Sequence, residues 1–292
     1  MIMKDLEKNK TAKSTLYLVA TPIGNLSDLS ERALKVLSEV DFIAAEDTRN
    51  SMRLLSHFGI SKPLVSYYEH NKRERGEEIV TRLLGGESCA LITDAGTPAI
   101  SDPGEDLVRL CAERGITVTS VPGACAMVNA LALSALSTSR FVFEGFLPVS
   151  KKERRERFSA LEKEERTFIL HEAPHKLKAT LKELSSILGA ERKIAICREL
   201  TKLNEEIVRT TLGEAVELYS EREPRGEYVL VIEGAGILKC DRDNEEIDLS
   251  ALKNEVDLRC RNGESKNRAI KAVAEAHGIS KNQLYGLLLE KE

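Results

Sequence analysis

The sequence predicts an α/β protein with two α/β domains, the first with a parallel sheet and the second with a mixed sheet, and a small helical tail. In the first half, short apolar runs alternate with helical patterns, which is typical of right-handed βαβ units and a parallel sheet. In the second half, successive strand patterns with one short helix between them indicate a mixed sheet. The expected divisions are a leader over residues 1–14, domains over 15–138 and 139–236, a linker over 237–248 and a tail over 249–292.

The composition is that of a globular protein with a modest net charge. Hydrophobic residues make up 42% of the 292 positions, charged residues 31%, and the net charge is −4. That total does not indicate a nucleic-acid binder, although a basic face can be hidden in it. The six cysteines form no CxxC pair, and no apolar run is long enough to span a membrane. We therefore expect a cytoplasmic protein with no metal, no disulfide framework and no membrane partner.

The first domain is predicted from five apolar runs, each followed by a helical pattern. The expected strands are residues 15–20, 42–45, 64–67, 89–93 and 117–121. The expected helices are residues 29–37, 51–58, 73–84, 107–114 and about 124–136, the last of them rich in alanine. The third helix shows the helical period clearly, because Ile79, Leu83 and Leu84 form one apolar stripe.

Residues 141–148, near the start of the second domain, are interpreted as a hinge into it because they are aromatic, apolar and end in proline. The strands expected after it are residues 167–170, 193–197, 206–211 and 228–232, and the helices are 151–161, 174–188 and 212–219. Polar residues 238–248 read as a linker. Helices at 249–259, 265–277 and 280–290 complete the tail, which resembles a helix-turn-helix, with Ser265 and Ser280 as N-caps.

Three loops that follow predicted strands contain glycine, proline and small residues. The longest, residues 94–104, has two of each of glycine, proline and aspartate. We interpret it as a ligand loop, because ligands bind at the carboxyl ends of parallel strands. An ordinary turn, with Asp102 as helix N-cap and Pro103 in the first helical position, explains only its end. Residues 19–29 lack G-x-G-x-x-G, and residues 120–126 suit either a flat ligand or tight helix packing.

Residues His171 to His175 match the zinc-protease string H-E-x-x-H. That chemistry needs both histidines on one face of a helix. Here His171 ends a predicted strand, and Pro174 forces the preceding residue out of helical geometry. The sequence therefore argues against a metalloprotease.

Polar residues also follow strands at 46–49, 69–71 and 197–202. Charged residues around one crevice at strand ends often contact substrate, whereas charged runs on helices are usually solvated. By itself, His70 is more typical of a surface or hydrogen-bonded histidine than of a base.

Together these segments resemble the ribosomal small-subunit RNA methyltransferase I family of the tetrapyrrole methylase superfamily. The match runs from about Leu16 to Gly234 and comprises residues 19–29, 45–49, 69–71, 94–104, 121–124, 143–148, 172–177, 199–202 and 226–232. The resemblance implies S-adenosylmethionine held between two α/β domains, a homodimer, and methyl transfer to the ribose 2′-hydroxyl of a cytidine in the decoding region of 16S rRNA.

The resemblance also implies site residues. Those expected at the cofactor are Ile23, Gly24, Asp94, Gly96, Thr97, Ile100, Gly123, Ala124, Ala126, Leu200 and Gly226. Those expected to face the RNA are Glu46, Asp47, Arg49, His70, Asn71, Glu172, His175, Glu199 and Lys202. Lys176 stands where the family commonly has arginine, and His171 where an aromatic residue is usual. A phosphate contact made by Lys176 is expected to be looser than a bidentate arginine contact.

The chemistry leaves the catalytic assignment open. Methyl transfer to a hydroxyl is helped by positioning, by a base and by a cation near the developing alkoxide. Glu46, His70 and Glu199 are candidate bases, and Lys202 and Arg49 are candidate stabilisers. The sequence does not choose among them.

Two basic clusters are candidates for contact with RNA phosphates, although solvated helical faces explain them equally well. One lies at residues 151–157 and includes Arg154, Arg155 and Arg157. The other, in the tail, contains Arg259, Arg261, Lys266, Arg268 and Lys271. Two rival functions remain: a corrin or porphyrin methylase, against which the basic tail argues, and a helix-turn-helix regulator without methyl transfer.

Overall fold

The computed structural model describes residues 10–235, 249–276 and 284–285. These residues divide into two compact units, one within Met1–Gly234 and one within Ala235–Glu292. The first unit contains two sheets, one entirely parallel and one mixed, as the sequence predicts.

The first sheet contains five parallel strands in the order β3-β2-β4-β1-β5. Its strands are β1 (Thr15–Val19), β2 (Phe42–Ala45), β3 (Leu64–Ser66), β4 (Cys89–Ile92) and β5 (Thr117–Val121). The helices that follow them are α1 (Glu31–Glu39), α2 (Thr48–His57), α3 (Lys72–Leu84), α4 (Glu105–Glu113) and α5 (Ala126–Leu133). Strand β4 is buried along its whole length, as expected of an uninterrupted apolar run in a parallel sheet.

The helices cover opposite faces of this sheet, and that arrangement opens a crevice. Val36 and Leu37 of α1 pack on the face that contains Val19 of β1. Leu107 of α4 packs on the other face with Leu91 of β4. Because β1 and β4 are neighbours whose connections leave toward opposite faces, the space outside their carboxyl ends is the usual ligand position in such a sheet.

The second sheet has the order β6-β7-β10-β8-β9, with β6 parallel to β7 and the other pairs antiparallel. Its strands are β6 (Phe141–Phe146), β7 (Thr167–Glu172), β8 (Lys193–Arg198), β9 (Glu206–Thr211) and β10 (Tyr228–Ile232). Helices α6 (Lys151–Glu162), α7 (Pro174–Leu188) and α8 (Leu212–Glu221) cover one face. The opposite face packs on α5 through the small side chain of Ala130 and through Leu131.

The expected hinge at residues 141–148 is wrong in its first six positions. Phe141–Phe146 forms the edge strand β6, paired with β7 and interrupted by a register shift between Phe143 and Gly145. The aromatic content that suggested a hinge is equally typical of a strand, where aromatic residues pack well on a pleated surface.

The second unit is a small helical cluster. Helices α9 (Leu249–Arg261) and α10 (Lys266–Ala276) pack through Leu252, Val256, Ile270 and Val273, together with Leu284. The linker at 238–248 lies outside the described residues, as does the helix expected at 280–290 except for residues 284–285. In the part of the chain that the structure describes, no helix is long and apolar enough to cross a membrane.

Candidate active site

Three loops at the carboxyl ends of the first sheet are bonded to one another. Thr21, after β1, exchanges two backbone hydrogen bonds with Gly96, after β4, at 2.9 and 3.1 Å. The Thr21 hydroxyl donates to the carbonyl of Thr93 at 3.0 Å. The Thr97 hydroxyl donates to the carbonyl of Ala124, after β5, also at 3.0 Å. The three loops therefore form one continuous wall.

A cavity of about 360 Å³, here called the central cavity, lies between this wall and the second sheet. Six of the residues expected at a cofactor line it: Ile23, Gly96, Thr97, Ile100, Ala126 and Leu200. Gly24 and Asp94 instead line a smaller neighbouring pocket of about 190 Å³. Gly123, Ala124 and Gly226 line neither space.

Gly24 and Gly226 contact the loop that follows β8, residues 199–202. A Cβ atom at Gly24 would lie 2.3 Å from Cγ of Lys202. One at Gly226, whose φ is +83°, would lie 2.5 Å from Cδ of Glu199. Both positions therefore require glycine so that the 199–202 loop can pack closely.

His171 faces the central cavity between two phenylalanine rings. Its ring lies edge-on to Phe143 at 5.1 Å and to Phe146 at 5.5 Å. Burial lowers the pKa of His171, opposed by the charge of Glu227, so the imidazole is neutral at physiological pH. Its Nε2 atom is buried and has no hydrogen-bond partner among the described residues. This part of the cavity wall therefore combines two phenylalanine rings with one unsatisfied polar atom.

The separation of the two histidines in H-E-x-x-H is confirmed. His171 belongs to strand β7, whereas His175 follows Pro174 at the start of α7. Among the described residues, no group of three or more His, Cys, Asp or Glu side chains is placed to hold a metal ion. Glu172 is buried, and its carboxylate accepts hydrogen bonds from the Thr180 hydroxyl and the Ala173 N–H. His175 is exposed and Lys176 is half-buried.

The 199–202 loop is held by an ion-paired cluster. Nζ of Lys202 lies 2.8 Å from Oε1 of Glu199 and 2.8 Å from Oε2 of Glu227. The Glu199 carboxylate also accepts the Glu227 N–H at 3.0 Å. The hydrogen bond from Lys202 holds the pKa of Glu199 below its usual value. Although burial lowers the pKa of Lys202, its two carboxylate partners raise it on balance, so the ammonium stays charged.

A second, more open cavity of about 580 Å³, here called the acidic crevice, adjoins the central cavity. It is lined by Glu46, Tyr68, Glu69, Ala99, Ser101, Asp102, Pro103 and Glu105. The Glu46 carboxylate accepts the Thr93 hydroxyl at 2.8 Å. His70 is exposed and lies edge-on to Tyr68 at 6.3 Å, but it lines neither cavity.

Asp47, Arg49 and Asn71 mainly bond to their own loops. Asp47 caps α2 by accepting the Arg49 N–H at 2.8 Å and also pairs with the Arg49 guanidinium at 2.8 Å. Those bonds lower the pKa of Asp47 to about 2. Asn71 accepts the Tyr68 N–H and donates to the carbonyl of Ser66, which closes the turn before α3.

The basic cluster on α6 is partly engaged within the protein. Arg154 pairs with Glu183 at 2.6 Å and donates to the Thr180 hydroxyl at 2.9 Å. Arg157 lies 3.3 Å from Glu144, and Arg155 is exposed.

The sequence did not indicate Asp102 as a residue of the candidate site. Helix α4 begins at Glu105 with Gly104 before it, so Asp102 is not its N-cap and Pro103 is not its first residue. Asp102 borders both the central cavity and the acidic crevice. Burial, together with the charges of Glu46 and Asp94, raises its pKa to about 6, although a hydrogen bond with Thr93 opposes the rise. The signal in the sequence was the second aspartate of the 94–104 loop, which we interpreted as a helix N-cap.

The fold matches solved structures at low sequence identity. Uroporphyrin-III C-methyl transferase of Thermus thermophilus, complexed with S-adenyl homocysteine, aligns with a TM-score of 0.53 and 16% identity over 75% of this chain and 97% of that one. A cobalt precorrin-4 methyltransferase of cobalamin biosynthesis aligns with a TM-score of 0.55 and 19% identity over 75% and 95%. At these identities the likeness establishes the fold.

Sequence comparison identifies the family. Residues 15–216 match the family model described as Tetrapyrrole (Corrin/Porphyrin) Methylases. The "Ribosomal RNA small subunit methyltransferase I" of Synechocystis is 46% identical over 277 residues, covering 95% of this chain and 98% of that protein. The protein of the same name in Escherichia coli O157:H7 is 41% identical, covering 99% and 100%. This chain belongs to the ribosomal RNA small subunit methyltransferase I family of tetrapyrrole methylases.

Proposed function

We propose that this protein methylates 16S ribosomal RNA with S-adenosylmethionine as donor, at the 2′-hydroxyl of a cytidine in the decoding region. The family supports a ribosomal RNA substrate, since relatives that match almost the whole chain are named "Ribosomal RNA small subunit methyltransferase I". The choice of the 2′-hydroxyl, the cytidine and the decoding region extends the family resemblance seen in the sequence.

The central cavity is the observation that carries the proposal. Its volume of about 360 Å³ is in the range of small-molecule sites. It lies outside the carboxyl ends of β1 and β4, where the parallel sheet favours a ligand. The unsatisfied Nε2 of His171 needs a hydrogen-bond partner, and a nucleoside offers donors and acceptors. The residues present therefore fit the cofactor.

The residues that would hold S-adenosylmethionine are those that line the cavity from both sheets. Backbone and small side chains at Gly96, Thr97 and Ala126 form one side, and Leu200 approaches from the other. Asp94 lies beside this wall, where its carboxylate accepts the Asn50 amide at 3.0 Å. When bound, the cofactor supplies a methyl group on a positively charged sulfur.

The protein contributes mainly positioning. Holding an acceptor hydroxyl in line with the methyl group can supply much of the rate acceleration, because it removes the entropic cost of bringing two reactants together. The paired Glu199 and Lys202 fix the 199–202 loop, and through it Leu200, against the cavity. We assign these two residues to positioning, because each is engaged by the other.

RNA contact is assigned to exposed polar and basic residues around the site. Arg155 on α6 is exposed, and His175 and Lys176 lie at the start of α7. Contacts of this kind bring RNA to the site through its phosphates and make affinity depend on salt. We also propose that the protein is a cytoplasmic homodimer. Light scattering tests the dimer, which should have twice the mass of one chain.

Incubation with tritiated S-adenosylmethionine tests the proposal. Small ribosomal subunits from cells lacking this gene, free 16S rRNA and a porphyrin precursor are offered separately. We expect label in the rRNA, recovered as 2′-O-methylcytidine after digestion to nucleosides. Label in the porphyrin precursor would indicate the small-molecule methylase. No label, with duplex DNA binding by the tail, would indicate the regulator.

A further inference from the structure

The carboxylate of Asp102 lies where the central cavity meets the acidic crevice. We propose that Asp102 is the general base that accepts the proton of the attacking ribose hydroxyl, an inference that rests on the proposed function. Only Asp102 and Ser101 line both spaces among the described residues. The acceptor hydroxyl must lie within reach of both the methyl donor and its base, and a carboxylate that borders both spaces meets that requirement.

The surroundings of Asp102 disfavour its charge. Among the described residues, no lysine or arginine lines either space. The titratable groups that face it across the crevice are Glu46, Tyr68, Glu69 and Glu105, with Asp94 close by in the same loop. Those that line the central cavity with it are Cys125, His171, Glu172, Cys197, Glu227 and Tyr228.

This setting gives Asp102 a proton affinity suited to base catalysis. Partial burial and the neighbouring charges of Glu46 and Asp94 raise its pKa to about 6. At neutral pH such a carboxylate is ionised, yet it binds a proton far more strongly than an ordinary aspartate. A base is most effective when its pKa is close to the working pH.

The backbone around Asp102 is held in an uncommon conformation. Ala99 and Ser101 have φ values of 66° and 63°, in the left-handed region that side chains rarely adopt. Strain of this kind persists where the surrounding structure fixes it, and it is frequent at functional sites. The carboxylate is therefore held at the boundary rather than left on a mobile turn.

The bases considered from the sequence are less well placed. Glu199 is engaged by Lys202 and Glu227, which lowers its pKa. His70 lines neither space. Glu46 lines only the crevice and accepts the Thr93 hydroxyl, so its role is to raise the pKa of Asp102.

The step balances without a further reactant. The ribose oxygen forms a bond to the methyl carbon as the methyl–sulfur bond breaks, and the bonding pair stays on sulfur. The hydroxyl proton moves to Oδ of Asp102, which becomes a neutral carboxylic acid. Asp102 then releases the proton to water through the open crevice.

Single-turnover methylation of small subunits, measured against pH, tests the assignment. The wild-type rate should fall tenfold per pH unit below an apparent pKa near 6. Asp102→Asn should lower the rate at about pH 8 by about 100-fold or more and abolish this acid limb, because an amide accepts no proton. Cofactor affinity measured by calorimetry should change less than about threefold, and Asp102→Glu should recover part of the rate. Glu105→Gln removes a carboxylate from the same crevice and should keep the acid limb.

A second measurement does not depend on activity. The ¹³C carboxyl resonance that disappears in Asp102→Asn should titrate near pH 6 in the wild-type protein. Titration near pH 4, or an Asp102→Asn rate within about threefold of wild type with its acid limb intact, would overturn the assignment. If the wild-type protein labels no RNA at all, the proposed function fails first, and the assignment falls with it.

Discussion

The 94–104 loop and the 199–202 loop, which both contribute to the central cavity, share a backbone conformation but differ in electrostatics. In each loop, two left-handed residues flank an aliphatic side chain that lines the cavity: Ala99 and Ser101 around Ile100, and Glu199 and Thr201 around Leu200. Asp102, two residues after Ile100, lies among other carboxylates, and its pKa is raised. Glu199, which precedes Leu200, is paired with Lys202, and the pKa of Glu199 is lowered.

The difference shows that position alone does not make a carboxylate a base. Asp102 and Glu199 both belong to loops that follow strands, and Asp102 lines the cavity while Glu199 precedes Leu200, which lines it. Glu199 is stabilised as an anion by Lys202 and by a backbone N–H, which suits a residue that fixes a loop. Among the described residues, no lysine or arginine lines either space beside Asp102, which suits a residue that accepts a proton.

The largest expected effect separates the two carboxylates kinetically. Asp102→Asn is expected to lower the rate by about 100-fold. Glu199→Gln and Lys202→Ala should each lower turnover by only about tenfold. In both variants turnover should fall more than cofactor affinity, and the acid limb of the pH profile should remain. Single-turnover rates and calorimetric Kd values measure these effects. Unchanged turnover in both would remove the pair from the reaction.

The next effect tests how tightly the 199–202 loop is packed. Gly226→Ala places a methyl group 2.5 Å from Cδ of Glu199 at a φ of +83°, and should lower the free energy of unfolding by about 2–3 kcal/mol. Gly59→Ala is a matched control, because the φ of Gly59 is +68° but no atom of the described residues lies within 4 Å of a Cβ built there. Gly59→Ala should lower the free energy of unfolding by only about 1 kcal/mol, from backbone strain alone. Urea denaturation of both variants makes the comparison, and equal losses would contradict the close packing.

Gly226 and Asp102 show what could and could not be predicted from the sequence. Strands such as Cys89–Ile92 were predictable because uninterrupted apolar runs are buried on both faces, whereas the aromatic edge strand Phe141–Phe146 was mistaken for a hinge. The glycines were noticed, but what they contact depends on a loop from the other sheet. The role of Asp102 was missed because its pKa depends on Glu46, which follows a different strand. Local pattern gives the elements and their loops, whereas the electrostatics of the site come from tertiary contacts.

A smaller effect concerns stability against pH. The pKa of Asp102 is about 6 in the folded protein and about 4 in an unfolded chain, so the folded state binds the proton more tightly between these values. Stability contributed by this proton is present below about pH 4 and is lost as the pH rises through about 6. Asp102→Asn should therefore be more stable than wild type by about 1 kcal/mol at about pH 8, and equally stable at about pH 4. Thermal unfolding at both pH values tests the sign; a less stable variant at about pH 8 would contradict it.

The smallest effect lies outside both loops. Arg155→Glu reverses an exposed charge on α6 and should lower RNA affinity by a few-fold at low salt while reducing the slope of log affinity against log salt by about 1–2. Lys35→Glu, on α1, is a control of equal charge change on a helix to which we assign no RNA contact. Filter binding to small subunits over a salt series measures both slopes. The same slope for wild type and Arg155→Glu would exclude Arg155 from the RNA surface.

Calorimetric titration with S-adenosylmethionine and its demethylated product tests the central claim most directly, namely that the cavity between the two sheets binds the methyl donor. Ile100 lines that cavity and is 42% exposed, so Ile100→Trp should fill the space while leaving the fold intact. We expect one molecule bound per chain in the wild-type protein and at least about tenfold weaker binding in the variant at unchanged melting temperature. No heat in the wild-type titration, or equal affinity in both proteins, would contradict the account.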